Sequence, residues 1–394
     1  MPNLLPMHQP LSVFTKTFQK LVFTICKIAL MMILIFSCKK EANNSDGTNH
    51  EPALDIAIST GAIHTVILKA DGTLWGSGMN LQGQLGDNTN VNKNIFIKIQ
   101  DSVKYVNAGT HQTMTIKKDG SLWANGYNGE GQLGDGTLIY RFTPVKIMQD
   151  VRFVSTGYNH TMIVKTDNSL WGTGFNLNGQ LGDPTYPKRL TPVKIMDNVQ
   201  SVSAGYLCTM ILKTDNTLWA TGWNGNGQFG NGTNLGSPIP VKIMDNVKTL
   251  SLSYNHAMVI KLDNSLWVAG WNPWGELGTG TTGSFVMTYT KITDSVKVIH
   301  AGNGHSLILK EDNSLWVAGD NSLGQLGDGT GIAKIVFTKL RDNVKSLCTG
   351  GGNCQSFIVM NDNTIWGTGH NEFGQLGDGT NIRYRFLFAK INIP

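Results

Sequence analysis

Residues 160–183 read HTMIVKTDNSLWGTGFNLNGQLGD. Met162, Ile163 and Val164 form an apolar run that ends at Lys165. Asp167-Asn168 follows, a pair that tolerates positive φ and closes a tight hairpin. Leu170-Trp171 then opens a second apolar run. Consecutive apolar residues in so short a strand indicate burial on both faces, where a sandwich would alternate. The same string recurs along the chain. A tryptophan preceded by Leu or Ile stands at Trp75, Trp123, Trp171, Trp219, Trp267, Trp316 and Trp366, spaced by 48 to 50 residues. Seven such units fill residues 55–394 and leave no room for a second domain.

Each unit reads as four short strands. The first is of the VQSVSAG type (199–205), the second of the HTMIVK type (160–165), and the third of the SLWATG type. A longer glycine loop leads to the fourth, of the TPVKI type, which carries Pro144, Pro192 and Pro240. Proline removes a ladder donor, so this strand belongs at an outer edge. A four-stranded sheet covered on both faces by copies of itself is a propeller blade, and the expected fold is an all-β, seven-bladed propeller. Unit one begins at an inner strand near Ile56 and unit seven ends at an outer strand near Phe386 to Ile391. Each blade is therefore expected to be continuous in sequence, with ring closure by packing; a strand exchange between the termini is the alternative.

The strings G-Y-N-H-T at 157–161 and N-x-x-G-Q-L-G-D-G-T at 128–137, 321–330 and 371–380 resemble the regulator-of-chromosome-condensation repeat. The resemblance spans residues 55–394 and implies a seven-bladed propeller with units of this length. It implies little about function, because that fold serves a nuclear nucleotide-exchange factor, a plant ultraviolet receptor and a secreted β-lactamase inhibitor. The receptor's G-W-R-H-T string is not matched here, since Tyr158 and Tyr206 stand where its tryptophan would be. Uniform unit lengths and a secretion signal argue against the exchange factor's role.

That signal is in residues 1–38. Residues 15–38 read TKTFQKLVFTICKIALMMILIFSC: lysines, an uncharged run from Ile28 to Ser37, then Cys38. The run is too short to span a bilayer, which takes about 20 residues, and reads as a cleaved signal. Ile35-Phe36-Ser37-Cys38 resembles the lipobox of bacterial lipoproteins, which implies lipidation at Cys38 and a place in the cell envelope, at the outer membrane or cell surface. Residues 39–54 are polar and aperiodic, a tether. The expected division is a signal at 1–38, a tether at 39–54 and a propeller at 55–394, held at the membrane by lipid alone.

Of 394 residues 46 are glycine and only 15% are charged. Residues 1–38 hold Lys16, Lys20 and Lys27 and no acid, so the net charge of +5 falls to +2 without them. Such a balance gives no reason to expect nucleic-acid binding. Cys208, Cys348 and Cys354 remain in the repeats, an odd count that does not define a disulfide framework. Cys348 and Cys354 bracket a glycine-rich turn and either pair or lie as two small buried side chains.

Columns present in most units are explained first by the fold. Gly61, Gly109, Gly157, Gly205, Gly302 and Gly352 end the innermost strand, where seven strands crowd the axis. The column His64, His160, His256 and His305 is expected to make structural hydrogen bonds, since equivalent residues spread around a ring and do not converge on a metal. Asp87, Asp135, Asp183, Asp328 and Asp378 lack the spacing of a calcium loop and read as turn formers. The Trp75 series reads as core. No nucleophile stands beside a base, and no catalytic residue, metal or cofactor is expected.

Two variable columns carry more information about function. In a four-stranded meander the loops between strands one and two and between strands three and four share one end. Tyr158, Tyr206 and Tyr254 lie in the first set; Tyr127, Phe175, Trp223, Trp271 and Trp274 lie in the second. Tyr and Trp are enriched in binding hot spots. The expected function is a non-enzymatic recognition module that binds a protein or other macromolecule through this aromatic face. An inhibitor of an extracellular enzyme and a polysaccharide-acting enzyme are the alternatives; an acidic pair among Glu130, Glu276 and Glu372 would favour the enzyme.

Overall fold

The computed structural model describes residues 56–283, 285–349 and 354–394, which form seven four-stranded antiparallel sheets. The expected signal and tether, with Cys38, Gly352 and Asn353, lie outside the described residues. Each sheet is a meander of four consecutive strands. In the first blade, β1 (Ala57–Thr60), β2 (His64–Leu68), β3 (Leu74–Gly78) and β4 (Lys93–Gln100) run from the axis outward. Second strands are buried along nearly their whole length, as in His160–Lys165, whereas fourth strands such as Arg141–Met148 are largely open. Pro144, Pro192 and Pro240 sit on those outer strands, where no neighbour needs their missing N–H.

The core is a ring of layers, one at each seam between blades. Met114, Leu122 and Leu133 of blade two meet Val151, Val154 and Ile163 of blade three, and each of the other six seams has its own apolar cluster. The closing seam has the same construction. Ile58, Ile67 and Phe96 of blade one pack against Phe357, Val359 and Leu376 of blade seven. Gly379 N–H donates to Asn94 O at 2.8 Å, as Gly329 N–H does to Phe386 O within the ring. Gln355 Nε2 donates across the seam to Gly61 O at 3.1 Å. Among the described residues no strand is exchanged between the first and last blades, and the ring closes by packing.

The histidine column joins neighbouring blades. His64 Nε2 lies 2.8 Å from Thr113 Oγ1, and His160 Nε2 lies 2.9 Å from Thr209 Oγ1. Each of those hydroxyls spends its proton on a backbone carbonyl, Gln84 O or Gln180 O, at 2.7 Å. The imidazole is therefore the donor and is neutral; burial pushes both histidines down to about 3. At the axis, a Cβ on Gly157 would stand 2.3 Å from His160 Cε1 and 2.5 Å from Gly205 O. Only glycine fits that crowding.

Two expectations resolve differently from one another. No disulfide links Cys208, Cys348 and Cys354; all three are buried, and Cys354 Sγ faces Asn303 O at 3.6 Å. The repeated tryptophans, expected in the core, are only half-buried. The reason is the indole N–H, which needs an acceptor. Ser265 Oγ donates to Asp263 Oδ1 at 2.5 Å and accepts from Trp267 Nε1 at 2.8 Å, which ties the ring to the hairpin at the lower end of the blade. Lys261 Nζ then covers the ring face at 4.3 Å.

Closure by packing makes Phe96, which is fully buried at the seam, a sensitive position. Phe96→Ala is expected to cost about 3–5 kcal/mol, the usual range for a buried aromatic, and to lower the thermal midpoint by circular dichroism. Trp267→Ala, at a half-buried site, is expected to lower it less.

Candidate functional site

The upper end holds the loops between strands one and two and between strands three and four. One side chain organises each of the latter loops. Asn128 Oδ1 accepts from Leu133 N at 3.0 Å and its Nδ2 donates to Asp135 Oδ1 at 2.9 Å. Asp135 Oδ1 also accepts from Thr137 N and Oγ1, and Oδ2 accepts from Arg141 Nε at 2.6 Å. Equivalent ion pairs join Asp87 to Lys93, Asp183 to Arg189, Asp328 to Lys334 and Asp378 to Arg385. Burial pushes these carboxyls up, but the threonine bonds and the adjacent cation outweigh it and hold them below the usual carboxylate range. The repeated aspartates are turn residues.

All eight aromatic candidates occupy loops or strand ends at this end. They divide into three groups. Tyr158, Tyr206 and Tyr254 stack on one another, with centroids 4.7 to 6.0 Å apart. Tyr254 Oη reaches Thr110 Oγ1 of blade two at 3.2 Å. This cluster adjoins a cavity at the axis lined by Gly109, Thr110, Gly157, Gly205, Ser253 and Tyr254. Burial pushes the Tyr254 phenol up to about 12. Tyr127, Phe175, Trp223 and Trp271 are half-buried. Tyr127 lies on the backbone of Gly129 and on Tyr140, with centroids 4.9 Å apart. Trp223 lies on Gly225, and Trp271 on Phe285 at 5.0 Å. Trp274 is the exposed member, at 53%.

Sequence reasoning missed the aliphatic rim around these rings. Val91, Ile139, Leu235, Ile332 and Ile382 are all exposed. Each stands four residues after the turn-forming Asp or Asn of its loop, so the repeat alignment carries the signal. Leu177 and Tyr186 of blade three join them. The lower end is different. There the exposed pairs Lys98–Asp101, Lys194–Asp197, Lys242–Asp245, Lys291–Asp294 and Lys339–Asp342 recur blade after blade.

The three glutamates do not gather. Glu130 pairs with Lys188 at 2.7 Å on the seam of blades two and three, and Glu372 pairs with Arg383 at 3.2 Å on blade seven. Glu276 is buried on blade five. Among the described residues no group of three or more His, Cys, Asp or Glu side chains is placed to hold a metal ion.

A sequence model of the RCC1-like domain matches residues 37–329. The chain belongs to this family. No curated protein matches it significantly. Among solved structures, human WBSCR16 is similar, with 19% identity, a TM-score of 0.67, and coverage of 76% of this chain and 85% of that one. Prp20p of Saccharomyces cerevisiae, studied with its binding to Gsp1p and histones, shares 19% identity, with a TM-score of 0.67 and coverage of 75% and 81%. Yeast Prp20 bound to Kap60 gives 19% identity, a TM-score of 0.75 and coverage of 90% of each chain. At these identities the likeness shows the fold. The RCC1-like propeller is in general a protein-interaction scaffold.

Glu276 stands where the other six blades carry Gln84, Gln132, Gln180, Gln228, Gln325 and Gln375. Its Oε2 accepts from Trp274 N at 2.9 Å, and its Oε1 has no partner. Burial, with Asp320 adding, pushes its carboxyl up to about 8 against the backbone N–H groups of Glu276 itself and of Trp274, which lower it. A carboxyl whose folded pKa is raised binds a proton in the native state that the unfolded chain has released. Its contribution to stability is therefore full below the unfolded value, near 4.5, and is lost as pH rises through about 8. Glu276→Gln is expected to flatten that part of the stability–pH curve and to add a few kcal/mol at pH 8, read by urea unfolding at a series of pH values. Parallel curves for the two proteins would contradict it.

Proposed function

We propose that this chain is a lipid-anchored recognition scaffold outside the cytoplasm, and that its upper face binds a protein or another macromolecule. The observation that carries the reading is the polarity of the ring. Variable aromatic columns and exposed aliphatic residues collect at the upper end, where the repeated aspartates are drawn into the loops, while exposed lysine–aspartate pairs occupy the lower end. Large exposed apolar surface rimmed by polar residues is the mark of an interaction site. The tyrosine cluster offers rigid rings with hydroxyls, which give contact area at low entropic cost. Half-buried Trp223 and Trp271 serve as anchors whose one open face meets the partner. A protein partner agrees with the Prp20 structures, which are described with Kap60, Gsp1p and histones. The near-neutral repeats give no electrostatic basis for nucleic acid.

Attachment is proposed to run through Cys38 alone. A bacterial lipoprotein cysteine carries several acyl chains, enough for stable anchoring where a single chain is not. Cys38→Ser is expected to abolish labelling by a fatty-acid analogue and to leave the signal uncleaved; normal labelling of that variant would contradict the anchor. At the face, Trp271→Ala is expected to cost about 2 kcal/mol of binding with the ring still folded by circular dichroism. Unchanged binding per folded molecule would place the partner elsewhere.

A further inference from the structure

The repeats are near neutral as a whole, but their formal charge is not shared evenly between the two ends of the ring. Among the described residues the upper end carries seven Lys and Arg against nine Asp and Glu, and the lower end carries twenty against fourteen. The lower end therefore stands at +6 and the upper end at −2. Residues 39–55 hold Lys39 and Lys40 against Glu41, Asp46, Glu51 and Asp55, so the lower end keeps +4 when all of them are counted with it.

The excess has a definite place. Two basic columns at the lower end have acidic counterparts. Outer-strand lysines such as Lys194 and Lys242 pair with the turn residues Asp197 and Asp245 at 2.9 and 2.7 Å. Lysines at the ends of second strands, such as Lys165, face hairpin aspartates such as Asp167. A third basic column has no such set of acids opposite it. Lys104, Arg152, Lys248, Lys297 and Lys345 are each the second residue of an inner strand, and Ile56 and Gln200 complete the column. Neighbouring inner strands touch all round the axis, so these cations ring its lower mouth. Arg152 Nη2 reaches across to Val199 O and Gln200 O of the next blade at 2.7 and 2.8 Å. Lys248 Nζ donates to Asn264 Oδ1 at 2.6 Å, and Asn264 Nδ2 donates in turn to Glu311, an acid that borders the column. Lys104 and Lys248 are exposed.

Shape and connectivity agree with the charge. At the lower end two residues join one blade to the next, and four or five join second strands to third strands. At the upper end twelve to fifteen residues join third strands to fourth strands. The lower end is thus level, whereas the upper end carries long loops. The first inner strand starts at the lower end, at Ala57, so the chain that follows Cys38 joins the ring beside the basic mouth. Residues 39–55 span at most about 60 Å.

We propose that the lower end is the membrane side of the ring, and that its basic mouth rests on a surface of anionic phospholipid headgroups. The inference rests on the anchored reading above and adds which way the ring faces: the aromatic end points away from the bilayer. A level surface of net positive charge suits a planar anionic layer, to which it is drawn within a Debye length. Nucleic acid offers the same phosphate chemistry, but the tether brings this end of the ring to a bilayer.

The test uses the full-length lipidated protein with a fluorophore on Leu262→Cys in a lower hairpin or on Leu235→Cys at the upper rim, both exposed sites. An energy acceptor is placed on the lipid of vesicles made of phosphatidylcholine, alone or with about 30% phosphatidylglycerol. With phosphatidylglycerol at about 0.1 M salt, transfer from position 262 is expected to exceed that from position 235 about twofold or more. The excess is expected to vanish on pure phosphatidylcholine, and at about 1 M salt, where the Debye length falls to about 3 Å. Lys104→Glu combined with Lys248→Glu is expected to remove most of it, and Arg383→Glu at the upper end to leave it unchanged. The lipid and salt comparisons need no charge variant, so they decide the point even where such a variant fails to fold. Flotation separates this proposal from the anchor. Protein that floats with pure phosphatidylcholine vesicles, yet shows equal transfer from the two sites on phosphatidylglycerol or more from position 235, keeps the anchor and overturns the orientation. An excess that persists on pure phosphatidylcholine at high salt overturns charge as its cause. Protein that floats only with phosphatidylglycerol, and only at low salt, overturns the anchor and supports the basic surface. Binding to a DNA duplex in preference to phosphatidylglycerol vesicles overturns the lipid as occupant.

Discussion

A ring with no exchanged strand depends on one contact made seven times. Leu85, Leu133, Leu181, Phe229, Leu277, Leu326 and Leu376 project from the glycine loops and are wholly buried. In each case the backbone N–H is held by the Oδ1 of an asparagine five residues earlier. Burying one such side chain contributes about 1.5–3 kcal/mol. The same loops then reach the next blade's outer strand through a backbone N–H, as at Gly136, Gly232, Gly280, Gly329 and Gly379. Since the seam between blades seven and one uses the same parts, no special closing device is needed.

Because the repeated columns carry the fold, the remaining loop positions are free to vary. The histidines illustrate the first class: their protons go to hydroxyls on the next blade, and burial keeps them neutral. The upper rings illustrate the second. Tyr158, Tyr206 and Tyr254 share one inner column but meet across three blades. Trp274 is an addition found on blade five, next to a glutamate that replaces the usual glutamine. The fold can tolerate that carboxyl near neutral pH because it remains protonated there.

Blade number, strand order and edge prolines were legible in the sequence, since in-phase copies fix which residues are equivalent; the mode of ring closure was not, because packing and a terminal strand exchange suit the same repeats. The burial of the tryptophans was not. Leu-Trp reads as two core residues, and the indole's need for Ser or Thr two positions earlier shows only when the hairpin is folded. The eight aromatic candidates share one end of the ring, as the loop order implied, but their grouping depends on distances between blades. The apolar rim was present in the repeat alignment at the fourth residue after each loop Asp or Asn, and was hidden because aliphatic residues in loops carry no motif.

The central claim is that the two ends of the ring do different work, with recognition at the upper end. Photo-crosslinking in the source cells tests it directly. A benzoylphenylalanine placed at Leu235 on the upper rim is compared with one at Leu262 in a lower hairpin; both sites are exposed. The account predicts a partner adduct at Leu235 and none at Leu262. An adduct at Leu262 alone, or equal adducts at both, would contradict it.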